Sequence, residues 1–270
     1  MKKQKEAKGE YEWILNCIPS MDQENDWLMH NAVESGLLAE PLQLPPSVDL
    51  RQAWWDVGNQ LNTGSCVGWA TADSVLRWHF VKAGKIAQNQ YLSVRFIWMA
   101  AKETDEFTTQ PTTFIEDDGT SLKAALDVAR KFGEVPINYL PFLPISLSHL
   151  STQSFYALAA QLKIASYFNL GVPVVPRMAI WKTWLATKGP ILTRLGVDQT
   201  WDNATQTHGN LDVYMPNTIR GGHAVAIVGY TNDRFIVRNS WGTTWGDKGF
   251  AYASLQYAQK AFTESYGVQV

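Results

Sequence analysis

Three short segments, far apart in the chain, constrain the fold more than any other feature. The first reads Gln60-Leu-Asn-Thr-Gly-Ser-Cys66-Val-Gly-Trp-Ala70. The second is Gly221-Gly-His223-Ala-Val-Ala-Ile-Val-Gly-Tyr230, and the third is Val237-Arg-Asn239-Ser-Trp-Gly-Thr-Thr-Trp-Gly246. Together they supply a thiol, an imidazole and two carboxamides. A thiol attacks carbonyls efficiently only as thiolate, and a neighbouring imidazole can take its proton. A third group must hold the imidazole in orientation, which Asn does as well as Asp. These groups act together only if the fold brings all three segments to one place.

Local patterning says how that would happen. Apolar residues at helical spacing predict a helix over 65–81, stopped by Gly84, with Cys66 at its N-terminus. Unpaired backbone N–H groups and the helix dipole stabilise an anion there, which favours thiolate. Further helices are expected over 93–103 and 121–132, the latter entered through Asp117-Asp-Gly119-Thr-Ser. The second half reads mostly as strand: 163–170, 191–197, 223–230, 234–239 and 249–255, with a helix over 178–187. Thr231-Asn-Asp233 is the turn of a hairpin that carries His223 and Asn239. Residues 198–220 are polar and read as a long loop leading into His223. Residues 1–45 form an extension with one helix over 26–38, followed by a stiff linker, Pro41-Leu-Gln-Leu-Pro45-Pro46.

On these residues the chain resembles the papain-like cysteine peptidases. Pro46-Ser-Val-Asp49-Leu-Arg51 resembles the start of the mature enzyme, and Gln60 stands six positions before Cys66, as the oxyanion-hole glutamine does in that family. His223 followed by an apolar run to Gly229-Tyr230 matches the histidine strand. Asn239-Ser-Trp-Gly-Thr-Thr-Trp-Gly matches the asparagine motif almost letter for letter. The resemblance runs from about residue 46 to 254.

It implies an α+β, two-lobed fold, with a helical lobe over about 60–150, a β lobe over about 155–260 and the active-site cleft between them. Residues 46–270 would be the catalytic domain. It also implies a cysteine peptidase, with Cys66 as nucleophile, His223 as acid and base, Asn239 orienting His223 under the cover of Trp241, and Gln60 in the oxyanion hole. Gly119 would pair its backbone with an extended substrate, and Gly222 would stand beside it at the cleft. The partner is a peptide or protein substrate, and no cofactor is implied. Two alternatives stay open: an acyltransferase or peptide ligase using the same thioacyl chemistry, and a papain-like binding module with an occluded cleft. Residues 1–45 are either a pro-segment or a helix docked on the body, with the docked helix favoured.

The chain departs from the family at two positions beside the thiol. The family signature is Cys-Gly-Ser/Ala-Cys-Trp/Tyr. Here Thr63 replaces the first cysteine, so the disulfide usual in secreted members cannot form, and Val67 replaces the aromatic, which would alter the cleft wall.

Composition narrows the class. Charged residues are 18% of the chain and the formal net charge is −2, with no basic stripe, so nucleic acid is not an expected partner. The most apolar long stretch, 155–175, is broken by polar residues, Gly171 and Pro173, so no membrane span is expected. Cys66 and Cys17 are the two cysteines, and no disulfide framework can be built without consuming the nucleophile. That fits a reducing compartment and a prokaryotic member: cytoplasmic, or exported without a cleavable signal. No histidine pair or Cys-x-x-Cys suggests a metal site. His30, His79 and His149 read as surface or packing residues, and His208 is noted for its place before His223.

Overall fold

A computed structural model describes residues 13–39, 43–104, 119–143, 152–171 and 177–270. Asp117, Asp118, His149 and the first part of the 41–46 linker therefore lie outside the described residues.

The chain enters along the body and forms α1 (Met29–Glu34). This helix is shorter than the expected 26–38. Leu28 is extended at its N-terminus, where its N–H donates to Asn31 Oδ1 at 2.7 Å, and Gly36 stops it at φ +72°. Met29 and Ala32 turn inward and pack with Leu38. β1 (Val48–Asp49) then pairs with the Gly229–Tyr230 end of a long central strand.

The first lobe is helical. α2 (Cys66–Gly68) continues through a π-helical stretch, Trp69–Leu76, into α3 (Arg77–Lys82). The expected uniform α-helix over 65–81 is thus a helix with a widened middle. The widened stretch holds the buried polar pair Asp73 and Ser74. Arg238 reaches both, at 2.8 Å from Asp73 Oδ2 and 2.6 Å from Ser74 Oγ. π stretches inside helices cluster at functional sites. α4 (Val94–Thr104) and α5 (Leu122–Lys131) pack beside it. Ser121 caps α5 by accepting from the Ala124 N–H, and Gly133, at φ +98°, ends it. α6 (Thr152–Ala159) was not anticipated from sequence.

The second lobe is built on a twisted, mostly antiparallel sheet: β2 (Ser166–Asn169), β3 (Ile191–Val197), β4 (Asn210–Leu211), β5 (Gly221–Tyr230), β6 (Arg234–Arg238), β7 (Phe250–Ser254) and β8 (Phe262–Gln269). Their spatial order is β2-β8-β3-β5-β6-β7-β4. α7 (Arg177–Thr187) and α8 (Leu255–Ala261) complete this half. Sequence patterning places β3 and the β5–β6 hairpin closely and omits β8 and α8. β8 carries the polar run Thr263-Glu-Ser265, yet Glu264 and Ser265 are buried, so its strand character comes from pairing on both sides rather than from alternation. The loop over 198–220 is more ordered than expected. It contains the 3-10 turns Gln199–Asn203 and Pro216–Thr218 and the parallel pairing of β4 with β7.

β5 sits at the centre and buries both faces. Ala224, Ala226 and Val228 pack with the helical lobe, while Val225 and Ile227 pack with α7, α8 and the tryptophans of the β lobe. This strand period of two puts His223 in line with Val225 and Ile227. The result is the α+β, two-lobed arrangement expected from the sequence.

Candidate active site

The strand pairing assembles the three segments. Antiparallel pairing sets Ala226 opposite Arg238, so Asn239, just beyond β6, comes alongside His223 near the start of β5. The Gln60 N–H donates to Ser240 O at 2.8 Å, and Asn59 bridges Trp241, which fastens the segment before Cys66 to the asparagine segment. Cys66 opens α2 and is fully buried.

His223 Nε2 lies 2.8 Å from Asn239 Oδ1. The same oxygen accepts the Ser240 N–H at 2.8 Å. An oxygen that takes a backbone N–H is an acceptor, so Nε2 is the donor and carries the proton. Nδ1 has no oxygen or nitrogen partner, and it is the ring nitrogen left to interact with the Cys66 thiol. Trp241 leans over the ring at 4.9 Å, and Trp201 meets it edge-on at 5.7 Å. Both indoles are buried and keep water from the His223–Asn239 bond.

The Cys66 thiol is held well below the ordinary thiol range. The leading cause is the neighbouring Cys17 side chain. His223 adds a hydrogen bond and its charge, the Ala224 backbone adds another bond, and together these outweigh burial, which pushes the other way. Cys17 moves in the opposite direction, raised chiefly by burial and further by Cys66. Within the pair, the proton is therefore favoured at Cys17 and disfavoured at Cys66.

The Gln60 carboxamide is also fixed. Its Oε1 accepts from Ser240 Oγ at 2.8 Å and its Nε2 donates to Thr63 O at 3.0 Å. Thr63, which stands where the family signature has cysteine, thus braces the loop through a hydroxyl that donates to Gln60 O at 2.7 Å. Val67 is fully buried in the core of the helical lobe.

Gly119 and Gly222 are brought together by an unexpected neighbour, the extension itself. Asn16 bridges Gly222 in parallel, the Cys17 N–H donates to Gly222 O at 3.0 Å, and the Ile18 N–H donates to Thr120 O at 3.2 Å. A Cβ on Gly119 would collide with the Asn16 carbonyl, and one on Gly222 with the Cys17 carbonyl. Arg194 Nε donates to Cys17 O at 2.8 Å. The extension therefore contributes both a docked helix, α1, and a strand-like segment laid against Cys66, Gly119 and Gly222.

Trp13, Cys17, Trp201 and Ser240 were not singled out by sequence reasoning. The one available signal was that Cys17 is the only other cysteine. His208 sits in a turn at φ +52° and is not at this site. His79 is buried, and that burial depresses its pKa to about 3, the value of a neutral packing residue. Among the described residues, no group of three or more metal-binding side chains is present.

Residues 150–268 match the family model described as papain family cysteine protease. That match includes His223 and Asn239. Xylellain, a cysteine protease from Xylella fastidiosa, superposes with a TM-score of 0.75 at 22% identity, covering 98% of this chain and 99% of that one. The fold is papain-like. The digestive procathepsin L2 of Tenebrio molitor larval midgut gives a TM-score of 0.67 at 20% identity, over 96% of this chain and 78% of that one. Among curated relatives, an uncharacterized peptidase C1-like protein of Acanthamoeba polyphaga mimivirus is 27% identical over 151 residues, 53% of this chain and 48% of its own length. Peptidase 1 of Euroglyphus maynei is 58% identical over 43 residues, 14% of this chain and 12% of its own length. The chain spans less than half the length of these curated relatives. No helix among the described residues is long and apolar enough to cross a membrane.

Proposed function

We propose that this chain is a cysteine peptidase that hydrolyses peptide bonds through a thioacyl intermediate. The observation that carries the proposal is the 2.8 Å bond between His223 Nε2 and Asn239 Oδ1, which leaves Nδ1 for Cys66. Cys66 Sγ attacks the scissile carbonyl. The negative charge that develops on oxygen is held by the Cys66 backbone N–H and by the Gln60 side chain once it turns from Thr63. His223 gives its Nδ1 proton to the leaving amine, and the Cys66 thioester remains. A water deprotonated at His223 then releases the acyl group and restores the thiolate. Donors aimed at a developing oxyanion are each worth about 10²–10³ in rate, and the two lie where the loop before α2 turns into the helix.

Residues 13–20 act as an inhibitory pro-segment in this reading. Their bonds to Gly222 and Thr120 use backbone groups that an extended substrate would need. The test is hydrolysis of a fluorogenic peptide library by the full chain, by Cys66→Ala and by a form lacking residues 1–19, which keeps α1 and its packing. Hydrolysis that rises on truncation and vanishes in Cys66→Ala supports the peptidase. Hydroxylamine trapping of the acyl group without hydrolysis would favour the transferase, and inactivity of every form under reducing conditions would favour a binding module.

A further inference from the structure

Cys17 is a buried nucleophile for which the proposed mechanism has no use. It sits where the extension crosses the site, positioned by its own N–H on Gly222, the residue before His223, and by Arg194 on its carbonyl. Both sulfurs are free and buried in one packed cluster, and each side chain acts electrostatically on the other. No other cysteine exists in the chain to compete.

We infer that Cys17 and Cys66 form a reversible disulfide that locks residues 13–20 over the active site when the protein meets a hydroperoxide. The inference rests on the reading of Cys66 as the activated nucleophile. The Cys66 thiolate attacks one peroxide oxygen. The O–O bond breaks, the hydroxide that leaves takes the His223 proton as water, and Cys66 becomes a sulfenic acid. The Cys17 sulfur then attacks the Cys66 sulfur. The S–O bond breaks, and the departing hydroxyl takes the Cys17 proton as a second water. The two sulfurs have together lost two electrons, and these have reduced the peroxide. An external thiol reverses the bond by exchange and leaves through its own disulfide.

The geometry favours this route over further oxidation. A nearby thiol captures a sulfenic acid as a disulfide before further oxidation, and Cys17 is buried in the same packed cluster as Cys66. Access comes from the segment itself. It is held by the backbone bonds to Gly222 and Thr120, the Arg194 contact and the stacking of Trp13 on Trp241. Such edges open locally at far lower cost than the core. The peroxide enters on opening, and the returning segment traps the oxidised sulfur. The lock also protects the nucleophile, since a disulfide is restored by thiols whereas a sulfinic acid is not.

The test treats the reduced full-length protein with excess hydrogen peroxide and reads intact mass, a non-reducing peptide map and Cys66 alkylation after dithiothreitol. The expected result is a loss of two hydrogen masses, a cross-linked peptide joining residues 17 and 66, and full recovery of alkylation on reduction. In Cys17→Ser the cross-link is absent, Cys66 gains two oxygens, and alkylation is not recovered. Cys66→Ser, as the second variant, forms no link and leaves Cys17 reduced. Oxygen addition at Cys66 without a link in the wild type, or a link only between separate chains, overturns the proposal. The map is read without substrate. A peptidase that hydrolyses peptides but forms no link sinks the lock alone, whereas a link in a chain inactive after reduction sinks the peptidase reading alone.

Discussion

Trp13 lies flat on Trp241, with ring centroids 5.0 Å apart and planes 2° from parallel. The indole that covers the His223–Asn239 bond is thus itself covered by the extension. An aromatic pair of this kind contributes about 0.5–1.5 kcal/mol beyond its buried area. Trp13→Ala should therefore loosen residues 13–20 and raise the rate of Cys66 alkylation in the full chain up to about tenfold. Iodoacetamide labelling, timed by peptide mass, checks it. A rate equal to that of the wild type would mean that the segment is held elsewhere.

In the proposed mechanism Asn239 acts through His223, without touching substrate. Removing a buried hydrogen bond to an imidazole costs about 1–3 kcal/mol. Asn239→Ala should lower kcat about ten- to hundredfold with KM nearly constant, and Asn239→Asp should restore part of the loss. Steady-state kinetics on one peptide substrate separates the two parameters.

Gln60 is expected to separate chemistry from thiol reactivity. Gln60→Ala removes the proposed oxyanion donor but leaves the Cys66–His223 pair, so kcat should fall about 10²–10³. Alkylation of Cys66, which develops no oxyanion, should change little. Equal losses in both would instead mean that Gln60 serves mainly to brace Ser240.

Glu134 is a stability element remote from the site. It is fully buried, one carboxylate oxygen has no partner, and burial raises its pKa well above the ordinary 4.5. The folded state therefore holds a proton that the unfolded chain releases. Between 4.5 and the raised folded value stability falls as pH rises, and above that value the full cost of the buried charge remains. Glu134→Gln should raise Tm at neutral pH and flatten its pH dependence over about pH 5–8. Thermal melts across that range check it.

Asp73 joins the two lobes. Its carboxylate lies 2.8 Å from Arg238 of β6 and 3.6 Å from Arg77 of its own helix, and both guanidinium groups are buried. Asp73→Ala would leave the buried Arg238 without a carboxylate partner, while Arg77 keeps Asp56 at 3.0 Å, and should destabilise the fold by about 3–5 kcal/mol. Urea denaturation gives the value.

The parts of this molecule legible in its sequence are those with short-range cause. The apolar run of β5 and its turn at Thr231–Asp233 placed His223 and Asn239 in one hairpin. Ser121 and Gly133 marked both ends of α5. What was not legible depends on distant pairing. β8 is a strand because β2 and β3 flank it, although Thr263-Glu-Ser265 reads as solvated. Trp201 lies in a segment whose composition reads as loop. It is drawn inward by stacking on Trp245 at 4.9 Å and by its indole N–H, which donates to Tyr257 Oη at 2.9 Å. Cys17 carries no local pattern, and its importance comes from where residues 13–20 are laid.

The central claim is that Cys66 and His223 form a thiolate–imidazole pair. The most direct measurement is the pH dependence of iodoacetamide alkylation in Cys17→Ser, where Cys66 is the only thiol and the serine hydroxyl keeps a donor beside it. The account predicts reactivity that persists well below the ordinary thiol range and, in a further His223→Ala exchange, retreats toward it. A profile centred near the free-thiol value of about 8.5, unchanged by loss of His223, would contradict it.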